Sequence, residues 1–199
     1  MATSRENKTI SNFKAALIGG GARPNLFEVE LTTLPAGISW DADNFRYMCK
    51  AAQLPASQIA NIDVPFRGRI FKVAGDRTIE NWSITVINDE DFRIRNAFEE
   101  WMQLIARLEN NLGATNPSSY MVDADVYQLG RGGKAGANSN SSSGEVSAVL
   151  KQYKMLGMFP INLGAIDLSY DTGDSIEEFT VEFALQSFNP VGQDGARTA

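Results

Sequence analysis

IDVPFRGRIFKVAGDRTIENWSITVI, Ile62 to Ile87, decides how the chain is read, because apolar and β-branched runs lie on either side of a short polar break. IDVPFRGRIFKV before the break and ENWSITVI after it both read as strands, the second with Trp82, Ile84 and Val86 on one face. AGDR, Ala74 to Arg77, is then the predicted hairpin turn, since glycine supplies positive φ and aspartate tolerates the bend. A glycine, an acid, a base and a hydroxyl stand side by side here, yet on this reading Arg77 and Thr78 are exposed flanks and not catalysts. The first arm, Ile62 to Val73, can span roughly 40 Å at about 3.3 Å per residue, about twice a usual strand, so it is expected to project or to bend near Pro65 and Gly68. Projection leaves unpaired edges that partner subunits can complete. The residues expected to form this assembly hairpin are Val64, Phe66, Arg69, Phe71, Val73, Gly75, Asp76 and Arg77.

Three further segments alternate with a period of two. NLFEVEL (25–31) sets Phe27, Val29 and Leu31 against Glu28 and Glu30; FTVEFALQ (179–186) sets Phe179, Val181, Phe183 and Leu185 against Glu182 and its polar or small neighbours. AIDLSYD (165–171) repeats the pattern, with Ile166, Leu168 and Tyr170 inward and Asp167, Ser169 and Asp171 outward. On the alternation alone the outward acids Glu28, Glu30, Asp167, Asp171 and Glu182 solvate an outer face of the sheet. One helix interrupts the strands: Ile94, Phe98, Trp101, Leu104 or Ile105 and Leu108 recur at three- and four-residue spacing, which predicts a helix from about Asp89 to Leu108. Asn88 or Asp89 is expected to cap it, so the acids of NDED (88–91) have a structural role at the positive end of the helix dipole. Near the N-terminus, Ile10, Phe13 and Leu17 share a helical face before GGG (19–21), which suggests a short docking helix.

Composition narrows the function classes. The 199 residues, 43% hydrophobic and 21% charged, describe one soluble globular domain of ordinary make-up. No run of 18 apolar residues and no signal-peptide pattern is present, so neither a membrane span nor a secretion signal is expected. With no histidine, the commonest general base and the commonest transition-metal ligand are missing, and no catalytic, metal or cofactor site is expected. The acidic clusters NDED and DTGDSIEE (171–178) lack calcium-loop spacing, and the glycine-rich GGGA (19–22) and GRGGK (130–134) lack the phosphate-loop pattern. The single cysteine, Cys49, cannot form an intrachain disulfide and reads as a buried structural thiol. A net charge of -6 argues against a protein that grips nucleic acid, which requires a basic stripe.

ARPNLFEVEL, CKAAQLP, VPFRGRIFKVAGDRTIENWSITVINDEDFRIRNAFEEW and GMFPINLGAIDLSYDTGDSIEEFTVEFALQSF together carry a resemblance. In that order and register they resemble the tail tube proteins of T-even-type contractile bacteriophages, over Ala22 to Phe188. The departure is LGRGGKAGANSNSSSG (129–144), a flexible Gly/Ser-rich insertion by composition; the arm 1–21 and the tail 189–199 lie outside the secure match. The resemblance implies a single, mainly β domain: an antiparallel sandwich or barrel with a long projecting hairpin and one flanking α-helix, six copies of which form a ring, the rings stacking into a tube. It also implies the partners: a sheath protein around the tube, a baseplate hub that initiates it, a terminator, a tape-measure protein, and double-stranded DNA in transit without sequence-specific binding. On the same resemblance, at least one set of the outward acids Glu28, Glu30, Asp167, Asp171 and Glu182 is expected to line the channel. No cofactor is implied. The setting would be the virion tail, assembled in the host cytoplasm. The tube of a phage-derived injection particle or of type VI secretion shares the implied fold. Outside that class, a monomeric β-sandwich binding module would explain the strands and a carboxylate-based hydrolase the acids. The alternation supplies no inward-facing pair of acids for the latter.

Overall fold

The structure, a computed structural model, describes residues 9–17, 21–130, 149–171 and 173–191. In chain order the elements are α1 (Ile10–Ala16), β1 (Phe27–Glu30), α2 (Ala42–Met48), β2 (Cys49–Ala52), β3 (Ser57–Phe66), β4 (Arg69–Ile79), β5 (Trp82–Ile87), α3 (Arg93–Ile105), β6 (Val122–Leu129), β7 (Val149–Leu163), β8 (Glu178–Ala184) and β9 (Ser187–Val191). A turn of 3-10 helix at Pro117–Ser119 precedes β6. Every strand pair is antiparallel. The main sheet runs β1-β6-β7-β8-β5-β2, with β9 also on β7, while β3 and β4 form a separate two-stranded sheet. Its terminal strands β1 and β2 are not hydrogen-bonded to each other, so the sheet is open and the barrel alternative does not close within one chain.

The long strand β7 joins the two halves of the sheet. Its residues 152–156 pair with β9 and 159–163 with β8, so β8 and β9 follow one another along the same edge. Between them Gly157 takes φ +61°, and a Cβ there would come within 2.9 Å of the Gln186 side chain. Glycine is required at this bend by both conformation and space.

Burial alternates as the strands predict. Val29 and Leu31, Trp82, Ile84 and Val86, Ala124 and Val126, and Phe179, Val181 and Phe183 all enter one core. α3 closes that core with Ile94, Ala97, Phe98 and Trp101. Phe98 is the hub of an aromatic cluster, with ring centroids 5.7 Å from Trp40, 5.8 Å from Phe183 and 6.2 Å from Phe45. Each tryptophan indole donates to a backbone carbonyl: Trp40 to Leu31 (2.6 Å), Trp82 to Gln53 (2.6 Å) and Trp101 to Tyr120 (2.8 Å). Large rings can therefore be buried without leaving a donor unpaired.

Tertiary packing overturns several expectations. The helix is shorter than Asp89 to Leu108: Phe92 sits in the left-handed region at φ 54°, so regular helix begins only at Arg93, and Leu108 is 88% exposed beyond its end. Asp89 does accept the Arg93 amide at 3.2 Å, but Asn88 instead bonds Glu177 through its amide side chain at 3.0 Å. The segment 165–171 is not a strand, and Leu168 and Tyr170 are exposed rather than inward. Both edges of β8, the strand that follows, are taken by β7 and β5, and residues 165–171 pair with none of the described strands. The chain beyond residue 188 is not simply a tail, since β9 continues to Val191. Of the segment 129–144, only its first two residues fall among those described.

Candidate assembly and channel surfaces

The hairpin turns at Arg67-Gly68, not at AGDR as the sequence predicts. Phe66 pairs with Arg69, leaving a two-residue loop in which Arg67 has φ 45° and Gly68 φ 82°. Two consecutive positive φ values are what a type I′ turn needs, and they match the twist of the flanking strands. The Arg67 guanidinium lies 5.4 Å from the Phe66 ring centroid. Ile62 to Val73 is therefore not one overlong arm; it is the end of β3, the turn and the start of β4.

AGDR instead forms an irregularity within β4. Ile59 pairs with Arg77 and Asn61 with Ala74, so two steps on β3 face three on β4 and one extra residue is accommodated at Gly75-Asp76. Gly75 is not among the glycines with positive φ. Space makes the demand: an added Cβ would lie 3.0 Å from the Ala60 carbonyl oxygen and 3.3 Å from Ile62 Cγ1.

Strand alternation sorts the hairpin into two faces. One carries Val64, Phe66, Arg69, Phe71 and Val73, together with Ile62, which the sequence reading left out. The other carries an Asp63–Lys72 ion pair at 3.4 Å. Phe66 and Phe71 are 66% and 67% exposed, so no other part of the described chain covers this apolar face. Gly75, Asp76 and Arg77 sit apart from it, near the base.

The candidate channel acids fall into three groups. Glu28 and Glu30 lie on the face of the main sheet opposite the core, beside Tyr127 and Asp125 of β6. Arg46 of α2 bridges them: its Nε is 2.7 Å from Glu28, without hydrogen-bond alignment, and its Nη2 donates to Glu30 at 2.9 Å. Tyr127 also donates to Glu30, at 3.1 Å. Burial, then the neighbouring charges of Asp125 and Glu30, push the phenol pKa well above its ordinary value, so the hydroxyl keeps its proton. Across the same face Gln152 donates to Asp125 at 3.0 Å, and Lys154 lies 3.8 Å from Asp123. Glu182 of β8 accepts from Asn81 at 2.8 Å and is paired across the sheet with Ser83. Asp167 and Asp171 lie in the exposed loop after β7 and share no strand face with the others.

Arg46 escaped the sequence reading because its helix did. The available signal was Asp41, whose carboxylate accepts the Asn44 amide at 3.1 Å and caps α2. Cys49, just beyond α2, is buried as expected, and burial pushes its thiol up to about 12. Among the described residues, no group of three or more potential metal ligands is brought together, and no helix is long and apolar enough to cross a membrane.

The profile of the phage tail tube protein family matches residues 22–190. The tail tube protein gp19 of Enterobacteria phage T4 is 36% identical over 167 residues, 84% of this chain and 90% of that protein. Among solved structures, a chain of the anti-feeding prophage baseplate superposes with a TM-score of 0.60 at 11% identity, covering 87% of this chain and 97% of the other. A chain of the sheath-tube complex of PVC, an extracellular contractile injection system, gives 0.53 at 10% identity, covering 92% and 98%. The structural likenesses are of fold; the sequence match carries the assignment, and the chain belongs to the phage tail tube protein family, as a structural tail component of contractile-tailed bacteriophages.

Proposed function

We propose that six copies of this chain close into a ring and that the rings stack into the inner tube of the tail, the conduit through which double-stranded DNA leaves the virion. The observation that carries this reading is the uncovered apolar face of the β3–β4 hairpin, on a chain whose main sheet ends in the free edges of β1 and β2. A monomer has to protect such surfaces, whereas head-to-tail neighbours cover them and close when the rotation permits. The hairpin residues Val64, Phe66, Arg69, Phe71 and Val73 make the contact, and Gly75, Asp76 and Arg77 shape its base.

The proposed partners are a sheath protein outside, a baseplate hub that initiates the tube, a terminator, and a tape-measure protein that fills the lumen before DNA. Likeness to chains of a baseplate and of a sheath-tube complex supports the first two. The subunits assemble in the host cytoplasm, and the protein acts without catalysis or cofactor. The lumen is acidic to neutral: six copies at -6 each carry -36 in all, and a wall faced by at least one set of the outward acids keeps DNA from adhering.

Electron microscopy of the concentrated protein, alone and co-expressed with the baseplate hub, tests the assembly. Rings or tubes with six-fold symmetry are expected. A protein that stays monomeric even with the hub overturns the reading.

A further inference from the structure

The helix α1 precedes the span matched by the family profile. None of its residues is buried, and its apolar side chains Ile10, Phe13 and Leu17 are 73%, 63% and 44% exposed. Thr9 caps it, accepting the Asn12 amide at 3.3 Å, so the helix is locally specified while its apolar stripe stays bare. Lys14 flanks the stripe.

Elsewhere the surface holds an apolar groove of about 550 Å³ where α3 ends. The chain folds back there, with Arg107 donating its amide to the Leu112 carbonyl at 3.1 Å and Ala114 to Leu104 at 2.9 Å. Gly113 permits the fold-back, because a Cβ would fall 1.9 Å from the Ile105 carbonyl oxygen. Ile38, Leu104, Leu112 and Ala114 supply the apolar lining, and Glu100 and Arg107 the charged rim. Leu112 is 67% exposed. α1 contributes no residue to this groove.

We infer that α1 of one copy docks its Ile10-Phe13-Leu17 stripe into the α3-end groove of a neighbouring copy, with Lys14 against Glu100. A chain that carries an unfilled apolar ridge and, elsewhere, an unfilled apolar groove is complementary to itself head to tail, a relation that propagates from copy to copy. The rim charge is mixed, Glu100 and Arg107; α1 carries Lys14 and no acid, and the docking sets Lys14 on the Glu100 side of the rim. The inference rests on the tube reading, but it assigns the contact to a segment outside the family match.

Subunits bearing only Ala16→Cys, beside the stripe, and subunits bearing only Ala114→Cys, both in a Cys49→Ala background, are co-assembled, mildly oxidised and run on a denaturing gel. Cross-linked dimers of one variant with the other are expected in tubes. Lys14→Glu should lower their yield about two- to five-fold, and Glu100→Lys in the partner should restore it. Tubes without the cross-link overturn the docking and leave the tube reading intact. A single doubly substituted chain that cross-links only within itself also overturns it, in favour of docking onto its own body. Absence of tubes from the unsubstituted protein even when co-expressed with the hub overturns both.

Discussion

At the scale of single residues, two glycines in the hairpin are fixed by different physics, and substitution separates them. Gly68 holds φ 82° in the two-residue turn, which a β-branched residue cannot comfortably adopt. Gly75 lies outside the positive-φ region, but a Cβ there would sit tightly, 3.0 Å from the Ala60 carbonyl oxygen, and would press β3 and β4 apart. Gly68→Val should therefore disturb the tip and Gly75→Val the register near the base. Gly68→Asn, which tolerates the left-handed region, should be nearly neutral, whereas Gly75→Asn should be as harmful as Gly75→Val. Tube yield for the four variants checks this. Cys49 gives a second residue-scale prediction. Its thiol is held up to about 12 in the folded chain against an ordinary value of 9.0, so below pH 9 both folded and unfolded states are protonated and stability is unaffected. Between pH 9 and 12 the unfolded thiol ionises while the folded one does not, and this residue costs up to about 1.4 kcal/mol of stability per pH unit as pH rises. Urea melts from pH 8 to 10.5 should show a shallower alkaline loss for Cys49→Ala than for the unsubstituted chain.

At the scale of elements, α3 and the hairpin differ in what their apolar faces do. α3 buries Phe98 and Trp101 completely against both halves of the sheet. Phe98→Ala should cost about 3–5 kcal/mol of unfolding free energy, visible as a large drop in the urea midpoint. The hairpin's Phe66 and Phe71 are exposed, so Phe66→Glu with Phe71→Glu should leave the monomer's stability within about 0.5 kcal/mol while abolishing ring and tube formation. If the double variant unfolds early, the hairpin is part of the core; if it still assembles, it is not the contact.

At the scale of the whole molecule, charge distribution decides more than total charge. Glu28 and Glu30 are shared by Arg46, whereas Glu182 accepts from the neutral amide of Asn81 and Asp167 and Asp171 are exposed in a loop. Replacing Glu28 and Glu30 by lysine sets new cations against Arg46 and should lower stability before any effect on transport is read. Glu182→Lys leaves that cluster intact. In particles that still assemble, it should slow DNA ejection at low salt and recover at high salt if β8's outer face lines the channel. Unchanged ejection at every salt concentration removes Glu182 from the wall.

Local rules were enough for much of this protein. Period-two alternation named β1, β5 and β8 and their buried residues, because a half-buried strand writes its environment into every second position. Helical spacing located the buried face of α3 for the same reason. Tertiary structure decided the rest. AIDLSYD alternates as well as any strand, yet it is a loop, because a strand needs a partner edge in space and this segment meets none, both edges of the following β8 being taken by β5 and β7. AGDR reads as the turn, with the arm before it able only to project or bend near Pro65 and Gly68; the pairing of Phe66 with Arg69 put the turn at Arg67-Gly68, and the extra residue at Gly75 was absorbed as a bulge. Arg46 reaches Glu28 and Glu30 only because α2 lies beside β1 in space, and a pairing that depends on the meeting of distant segments leaves no periodic trace in the sequence.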